Sequence, residues 1–297
     1  MQDPKMMAQI KEGAGFIAAL DQSGGSTPGA LKGYGIGEDA YANDEQMFAL
    51  IHAMRSRIVT SPCFNGDKVI GAILFEKTMD GEADGKPVPE LLWERGVVPF
   101  LKVDKGLEDE ADGVKMMKPI PDLDALCERA VQKGVFGTKM RSVIELASPT
   151  GIAAIAKQQF DIAEQIAQHG LIPIIEPEVS IKSPERAEAE DILLVELTKA
   201  LGELQEDRQV MLKLTLPVRT GLYTPLVSHP RVARVVALSG GFTREEACRE
   251  LAKNPGMIAS FSRALLADLR AQMSDDEFDR TLGTAIDEIH RASIAEA

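Results

Sequence analysis

Three lysines stand inside apolar runs of strand length. They occur in Val210-Met211-Leu212-Lys213-Leu214-Thr215-Leu216, in Val97-Val98-Pro99-Phe100-Leu101-Lys102-Val103-Asp104 and in Val135-Phe136-Gly137-Thr138-Lys139-Met140-Arg141. A fourth run, Leu171-Ile172-Pro173-Ile174-Ile175, leads into Glu176-Pro177-Glu178. Lysine is almost never fully buried without a partner or a task. A desolvated amine among other cations gives up part of its affinity for protons and becomes a nucleophile. Amines and carboxylates gathered at the ends of neighbouring strands therefore predict one active site, and the chemistry predicted is a Schiff base between a lysine and a carbonyl substrate. For any single residue, a polar group that ends a strand and caps the next helix is an equally good account. That account does not cover three lysines, two of them between apolar neighbours. Lys102 has a structural alternative of its own, an ion pair with Asp104, because alternation along a strand points both side chains the same way.

The elements that must hold these groups recur along the whole chain. Strand-like runs lie at Gly15 to Asp21, Val69 to Glu76, Val97 to Asp104, Val135 to Arg141, Leu171 to Glu176, Val210 to Leu216, Val232 to Ser239 and Met257 to Ser262. Their apolar residues are near-continuous rather than alternating, which predicts burial on both faces and a parallel sheet. Amphipathic helical stripes occupy 121–133, 151–169, 184–207, 243–253 and 274–293. Thr243 with Glu246 and Ser274 with Glu277 have capping-box spacing, and Ser183-Pro184 reads as another helix start. Eight strand–helix units in a chain of 297 residues predict an α/β protein, a (β/α)8 TIM barrel forming a single domain over 1–297. The rival, a doubly wound open sheet, would usually carry a glycine-rich dinucleotide turn, and no GxGxxG occurs. Gly81 to Lys86 superficially resembles a P-loop but is one residue short and is followed by Pro87, so it reads as a surface loop before a short helix. Gly24 to Glu45, crowded with Gly, Pro and Ser, reads as an irregular rim loop.

Barrel enzymes carry catalytic groups at the carboxyl ends of their strands. Those ends supply Asp21, Glu76, Lys102 with Asp104, Lys139 with Arg141, Glu176 with Glu178, Lys213, Ser239 and Arg263. Two short motifs echo each other there. Ser23-Gly24-Gly25-Ser26 follows the first strand and Ser239-Gly240-Gly241 the seventh. Hydroxyls beside exposed glycine amides can cradle a phosphate, and Arg263 adds a guanidinium fork. Either motif alone is also an ordinary glycine turn. Two such nests on opposite sides of the mouth suit a substrate phosphorylated at both ends.

The bulk numbers narrow the partners. The formal net charge of −13 disfavours nucleic acid and anionic membranes, and leaves small anionic metabolites, which need a local positive pocket. No stretch is apolar and long enough to cross a bilayer, and the N-terminus lacks a signal-peptide core, so a cytoplasmic location is expected. Cys63, Cys127 and Cys248 are far apart and odd in number, which disfavours a disulfide framework. His52, His169, His229 and His290 are scattered singly, which disfavours a zinc site. No metal and no cofactor is expected.

Read in order, the motifs Ala18-Ala19-Leu20-Asp21-Gln22-Ser23, Leu101-Lys102-Val103-Asp104-Lys105-Gly106, Thr138-Lys139-Met140-Arg141, Ile175-Glu176-Pro177-Glu178, Leu212-Lys213-Leu214, Leu238-Ser239-Gly240-Gly241 and Ser260-Phe261-Ser262-Arg263-Ala264-Leu265 span nearly the whole chain. On these motifs the chain resembles the class I fructose-bisphosphate aldolases in their shorter bacterial form. The resemblance implies reversible cleavage of fructose 1,6-bisphosphate without a metal. It implies Lys213 as the Schiff-base lysine, Glu176 as the main acid/base, Lys139 as an assistant in carbinolamine and proton-transfer steps, Asp21 as an orienting group and Glu178 as a polarising one. It places Ser239, Gly240, Gly241 and Arg263 on one phosphate and Ser23, Ser26 and Lys102 on the other, with Arg141 beside Lys139 as a further binding group. The sequence departs from the animal enzymes at Gln22, where they carry Glu, at Pro28-Gly29-Ala30, where they have basic residues, and at Met140, where they have Trp. It also offers no phenol in Ile294-Ala295-Glu296-Ala297, so no tail residue is expected to reach the site. A Schiff-base barrel acting on another sugar, such as a transaldolase or a tagatose-bisphosphate aldolase, is the nearest rival. A non-catalytic sugar-phosphate binding protein and a metal-dependent aldolase are the more distant ones.

Overall fold

A computed structural model describes residues 3–295. Glu296 and Ala297, part of the tail expectation, lie outside the described residues. Eight parallel strands follow one another around the sheet in sequence order. They are β1 (Phe16–Leu20), β2 (Val69–Leu74), β3 (Val98–Lys102), β4 (Gly137–Ile144), β5 (Ile172–Val179), β6 (Val210–Thr215), β7 (Val232–Leu238) and β8 (Met257–Ala259). The ring closes where the Ala19 N–H donates to the Phe261 carbonyl at 3.1 Å, joining the ends of β1 and β8. The helices lie around this ring, so the architecture is the predicted (β/α)8 barrel.

The continuous burial follows from the two cores that the strands separate. Residues such as Phe16, Ala18, Leu20, Leu212 and Leu214 pack outward against the helices. Ile17, Ala19, Ile73, Phe100, Ile174, Met211 and Val236 fill the barrel interior. The N-terminal helix Pro4–Glu12 belongs to that inner core, into which it places Met6 and Ile10. It closes the mouth at the amino ends of the strands, and the polar groups occupy the other end. Both capping boxes form, Thr243 with Glu246 and Ser274 with Glu277.

Four local expectations are revised. The helix expected to open at Ser183-Pro184 begins at Arg186, with Glu185 as its N-cap, because Ser183 and its neighbours close a turn first (Ser183 N–H to Ser180 C=O, 3.0 Å). The segment Gly24 to Glu45 is largely helical rather than irregular, with Gly24–Ser26 and Glu38–Ala40 as 3-10 turns and Thr27–Gly33 as an α-helix. Pro28, which marks that segment as a loop in the sequence, sits in the first helical turn, where its missing N–H costs nothing. The Gly81 to Lys86 stretch does precede a short helix, Val88–Glu94, but is itself a small hairpin of Glu82–Ala83 and Lys86–Pro87. Its turn residues Asp84 and Gly85 have φ of 52° and 72°, the Asp-Gly signature of a tight hairpin. Finally, β4 and β5 run beyond Arg141 and Glu176. They stay paired through Ile144 and Val179, and Val114–Lys115 adds an antiparallel partner on that extension. Arg141, Glu176 and Glu178 therefore stand within extended backbone, held in register.

Candidate active site

Register places the polar groups in one layer of the barrel. Lys102 pairs with Lys139 across β3 and β4. Arg141 pairs with Glu176 across β4 and β5, and Ile174 pairs with Met211 across β5 and β6. Two residues further on, Glu176 and Lys213 reach the same height on adjacent strands. Their side chains point inward with Ile174 and Met211, since alternate residues share a face.

The side chains join into one chain of contacts. Lys213 Nζ is 3.2 Å from Glu176 Oε1, and Lys139 Nζ is 2.6 Å from Glu176 Oε2. Lys139 Nζ also donates to Asp21 Oδ2 at 3.0 Å. All four are buried, with 3–8% of each residue exposed. Burial alone disfavours every one of these charges, so their mutual attraction decides the outcome. For Asp21, burial is outweighed by the charges of Lys139 and Lys213, and its carboxyl is held well below the usual range. For Glu176, burial is likewise overcome by Lys139, Lys213 and Arg141, and its pKa is lowered. For Lys139, burial is overcome by Asp21 and Glu176, and its pKa is raised. Asp21, Glu176 and Lys139 are therefore ionised at neutral pH. A carboxylate held between two amines can take a proton from either one, or from a hydroxyl brought beside it.

The remaining predicted residues fall into two groups. A cavity of about 890 Å³ is lined by Asp21, Ser23, Ser26, Lys102, Lys139, Arg141 and Arg263. Lys213 and Glu176 adjoin it through Lys139. Lys102 is also the ion-pair partner that strand alternation suggested: its Nζ donates to Asp104 Oδ1 and to the Asp104 carbonyl, both at 2.7 Å. Arg141 Nε donates to Glu178 Oε2 at 2.5 Å, so Glu178 faces Arg141 rather than Lys213. Ser239, Gly240 and Gly241 form a turn with φ of 58° and 112° at the two glycines. A Cβ at Gly241 would lie 3.6 Å from an Arg263 guanidinium nitrogen, so the seventh and eighth loops do meet. On the opposite side, the Ser26 hydroxyl donates to the Ser23 carbonyl at 2.9 Å and accepts from the Ser23 N–H at 3.0 Å. That motif closes on itself as a turn. Glu76 is not part of the site; it opens a short helix and pairs with Arg129 and Lys105. Among the described residues, no three His, Cys, Asp or Glu side chains converge as a metal site would require.

The family model for class-I fructose-bisphosphate aldolase, a glycolytic family, matches residues 5–219, most of the chain. The chain belongs to this family. It is an aldolase, a lyase by reaction class, and the layer just described lies within the matched span apart from the loops after β7 and β8. A fructose-bisphosphate aldolase of Plasmodium falciparum, solved with TRAP and a small-molecule inhibitor, aligns over 98% of this chain and 93% of that one at 22% identity, with a TM-score of 0.80. A Corynebacterium glutamicum protein aligns over 98% and 92% at 15% identity, with a TM-score of 0.57. At these identities both matches speak for the fold alone.

Sequence reasoning missed Arg55 and Thr78. Arg55 sits on a helix, Asp44–Thr60, whose buried stripe is Met47, Ile51, Met54, Arg55, Ile58 and Val59. A cation inside an apolar helical stripe is the same oddity that marks Lys213 in its strand, and it was available as a signal.

Proposed function

We propose that this aldolase cleaves fructose 1,6-bisphosphate reversibly to dihydroxyacetone phosphate and glyceraldehyde 3-phosphate through an imine on Lys213. The observation that carries the reading is the unbroken contact chain Lys213–Glu176–Lys139–Asp21 on adjacent strands. Glu176 accepts the proton that Lys213 must lose, and the free amine attacks the ketone carbon of the sugar. Lys139, charged and beside Glu176, assists the carbinolamine in losing its hydroxyl as water. The resulting iminium is the electron sink, the role that a metal fills in metal-dependent aldolases. Glu176 has by then given the proton it took from Lys213 to the departing carbinolamine hydroxyl, so it is a carboxylate again and takes the C4 hydroxyl proton. The C3–C4 bonding pair flows into the iminium as an enamine, and the aldehyde phosphate leaves. Protonation of the enamine carbon and addition of water return Lys213 and release the ketone phosphate. Arg263 with the Ser239-Gly240-Gly241 turn holds one phosphate, and Ser23, Ser26, Lys102 and Arg141 face the other.

Borohydride reduction in the presence of dihydroxyacetone phosphate, followed by peptide mapping, tests the reading. The adduct is expected on Lys213, and Lys213→Met loses both adduct and turnover. An adduct found only on Lys102 or Lys139 would overturn the assignment, and product analysis separates fructose from tagatose bisphosphate.

A further inference from the structure

Arg55 is a buried cation with only neutral partners among the described residues. It is 1% exposed. One terminal nitrogen donates to Thr78 Oγ1 at 2.8 Å. The other donates to the Gln22 main-chain carbonyl and, at 3.3 Å, to Gln22 Oε1. Its Nε has no partner among the described groups. Burial pulls its pKa down to about 10 against the opposing charge of Asp21. Buried charges are ordinarily paired, because an unpaired one is costly to desolvate. A retained one needs a reason.

The bonds around Gln22 supply that reason. With its carbonyl oxygen and Oε1 taken by Arg55, the amide nitrogen is turned toward β8. It donates to Ser262 Oγ at 2.6 Å and, weakly, to the Ala19 carbonyl at 3.4 Å. Gln22 lies between Asp21 and Ser23, and Ser262 directly precedes Arg263. The bond therefore crosses the seam between the first and last strands, where β8 is only three residues long. Asp21 belongs to the imine cluster and Arg263 to the candidate phosphate turn. Both line the same cavity, whereas Arg55 does not.

We propose that Arg55, Gln22 and Ser262 form a clamp across the barrel seam, and that Arg55 is a positioning residue that sets the distance between the imine cluster and the phosphate-binding Arg263. This rests on the reading of the cavity as a sugar-bisphosphate site. The clamp acts as one unit, so breaking either of its ends has the same consequence.

The test uses the full chain and hexitol 1,6-bisphosphate, which has no carbonyl and forms no imine, with affinity measured by calorimetry. Arg55→Lys keeps the charge and loses the fork. Ser262→Ala keeps Arg55 and loses the seam bond. Each is expected to weaken binding about tenfold, and the double variant no further, since groups in one network are non-additive. Ser262→Thr, which keeps the hydroxyl, is expected to restore affinity. Independent losses that multiply to about a hundredfold, or unchanged affinity with only a lowered melting temperature, overturn the clamp. Ser262 itself lines the cavity, so its variants also report direct contact with the ligand. If Arg55→Lys does not fold, Arg55→Gln replaces it in the cycle: a double variant no weaker than either single supports the clamp, and losses that multiply overturn it. The imine reading fails separately, through an absent Lys213 adduct in the wild type, and that failure leaves this binding readout intact.

Discussion

Replacing Lys139 with methionine removes the charge that two buried carboxylates share while roughly keeping the side chain's length. In the wild type, Lys139 touches Asp21 at 3.0 Å and Glu176 at 2.6 Å. Glu176 keeps Lys213 at 3.2 Å after the change. Asp21 keeps no cation in contact among the described residues. Breaking a buried pair by deleting one partner costs about 3–5 kcal/mol, and that is the loss expected at pH 8 from denaturant unfolding. A pH dependence should also appear where the wild type has none. In the wild type the folded pKa values of Asp21 and Glu176 are depressed and that of Lys139 is raised. The carboxylate contribution is present above the unfolded values of about 4 and is lost as pH falls through the folded ones. The Lys139 contribution is present below its unfolded value of about 10 and is lost as pH rises beyond it. The wild type should thus be flat between roughly pH 5 and 9 as far as this cluster is concerned. In Lys139→Met, Asp21 stays buried but loses its contacting cation and hydrogen-bond donor, keeping only the longer-range charges of Lys213 and Lys102, and its folded pKa is expected to rise above the unfolded one. The folded state then binds more protons, so stability falls as pH rises, by at most about 1.4 kcal/mol per pH unit for one proton. The difference between variant and wild type should therefore shrink on acidification from pH 8 to pH 5. A cost below about 1 kcal/mol with parallel pH profiles would refute the reasoning, since it would mean that solvent already screens these charges.

Three further outcomes are expected. Arg263→Ala should raise KM for phosphorylated substrates by roughly ten- to a hundredfold, the equivalent of about 1.5–3 kcal/mol for a charge-assisted hydrogen bond; equal weakening of an unphosphorylated sugar would make Arg263 structural. If the iminium is the electron sink, EDTA leaves the cleavage rate unchanged, and loss of activity restored by zinc or cobalt would overturn the metal-independent reading. Gly137→Ala should cost about 1–3 kcal/mol by overpacking, measured by denaturant unfolding, because a Cβ there would strike the Ile172 carbonyl oxygen and lie 2.8 Å from the Phe100 ring.

The barrel was legible because a parallel strand buried on both faces leaves an unbroken apolar run, and every predicted strand overlaps an observed one. The ends of elements were less legible, because tertiary pairing set them. β4 and β5 extend past Arg141 and Glu176 because each supplies the other's hydrogen bonds and Val114–Lys115 caps the pair. Nothing local to either run encodes that partner. Conversely, Thr27–Gly33 is helical despite Pro28, Gly29 and Gly33 because Leu31 is fully buried in the core while the glycines are left toward the open side. Propensity counted those glycines against a helix, and burial of Leu31 together with Thr27 outweighed them.

The site shows the same division between residue type and partnership. The identity of a group that could do chemistry is a local property: a lysine between Leu212 and Leu214 is odd wherever it folds. Its partner is a property of register. Residue types alone would surround Lys213 with cations, yet the charged group in contact with it is the carboxylate of Glu176, placed there by the pairing of Ile174 with Met211 two residues earlier. That changes the expected source of nucleophilicity. A lysine among cations sheds its proton to water, whereas this one has an acceptor in contact, and that acceptor's own charge is maintained by Lys139. Loss of Lys139 should then slow imine formation as well as destabilise the fold, because Glu176 would lose the cation in contact with its Oε2 and keep only Arg141 and the amine it has to deprotonate. Single-turnover trapping by borohydride separates the two effects. At a temperature where Lys139→Met is fully folded, a slower rise of the Lys213 adduct supports a proton-accepting role for Glu176 sustained by Lys139. An unchanged rise would assign Lys139 to later steps alone.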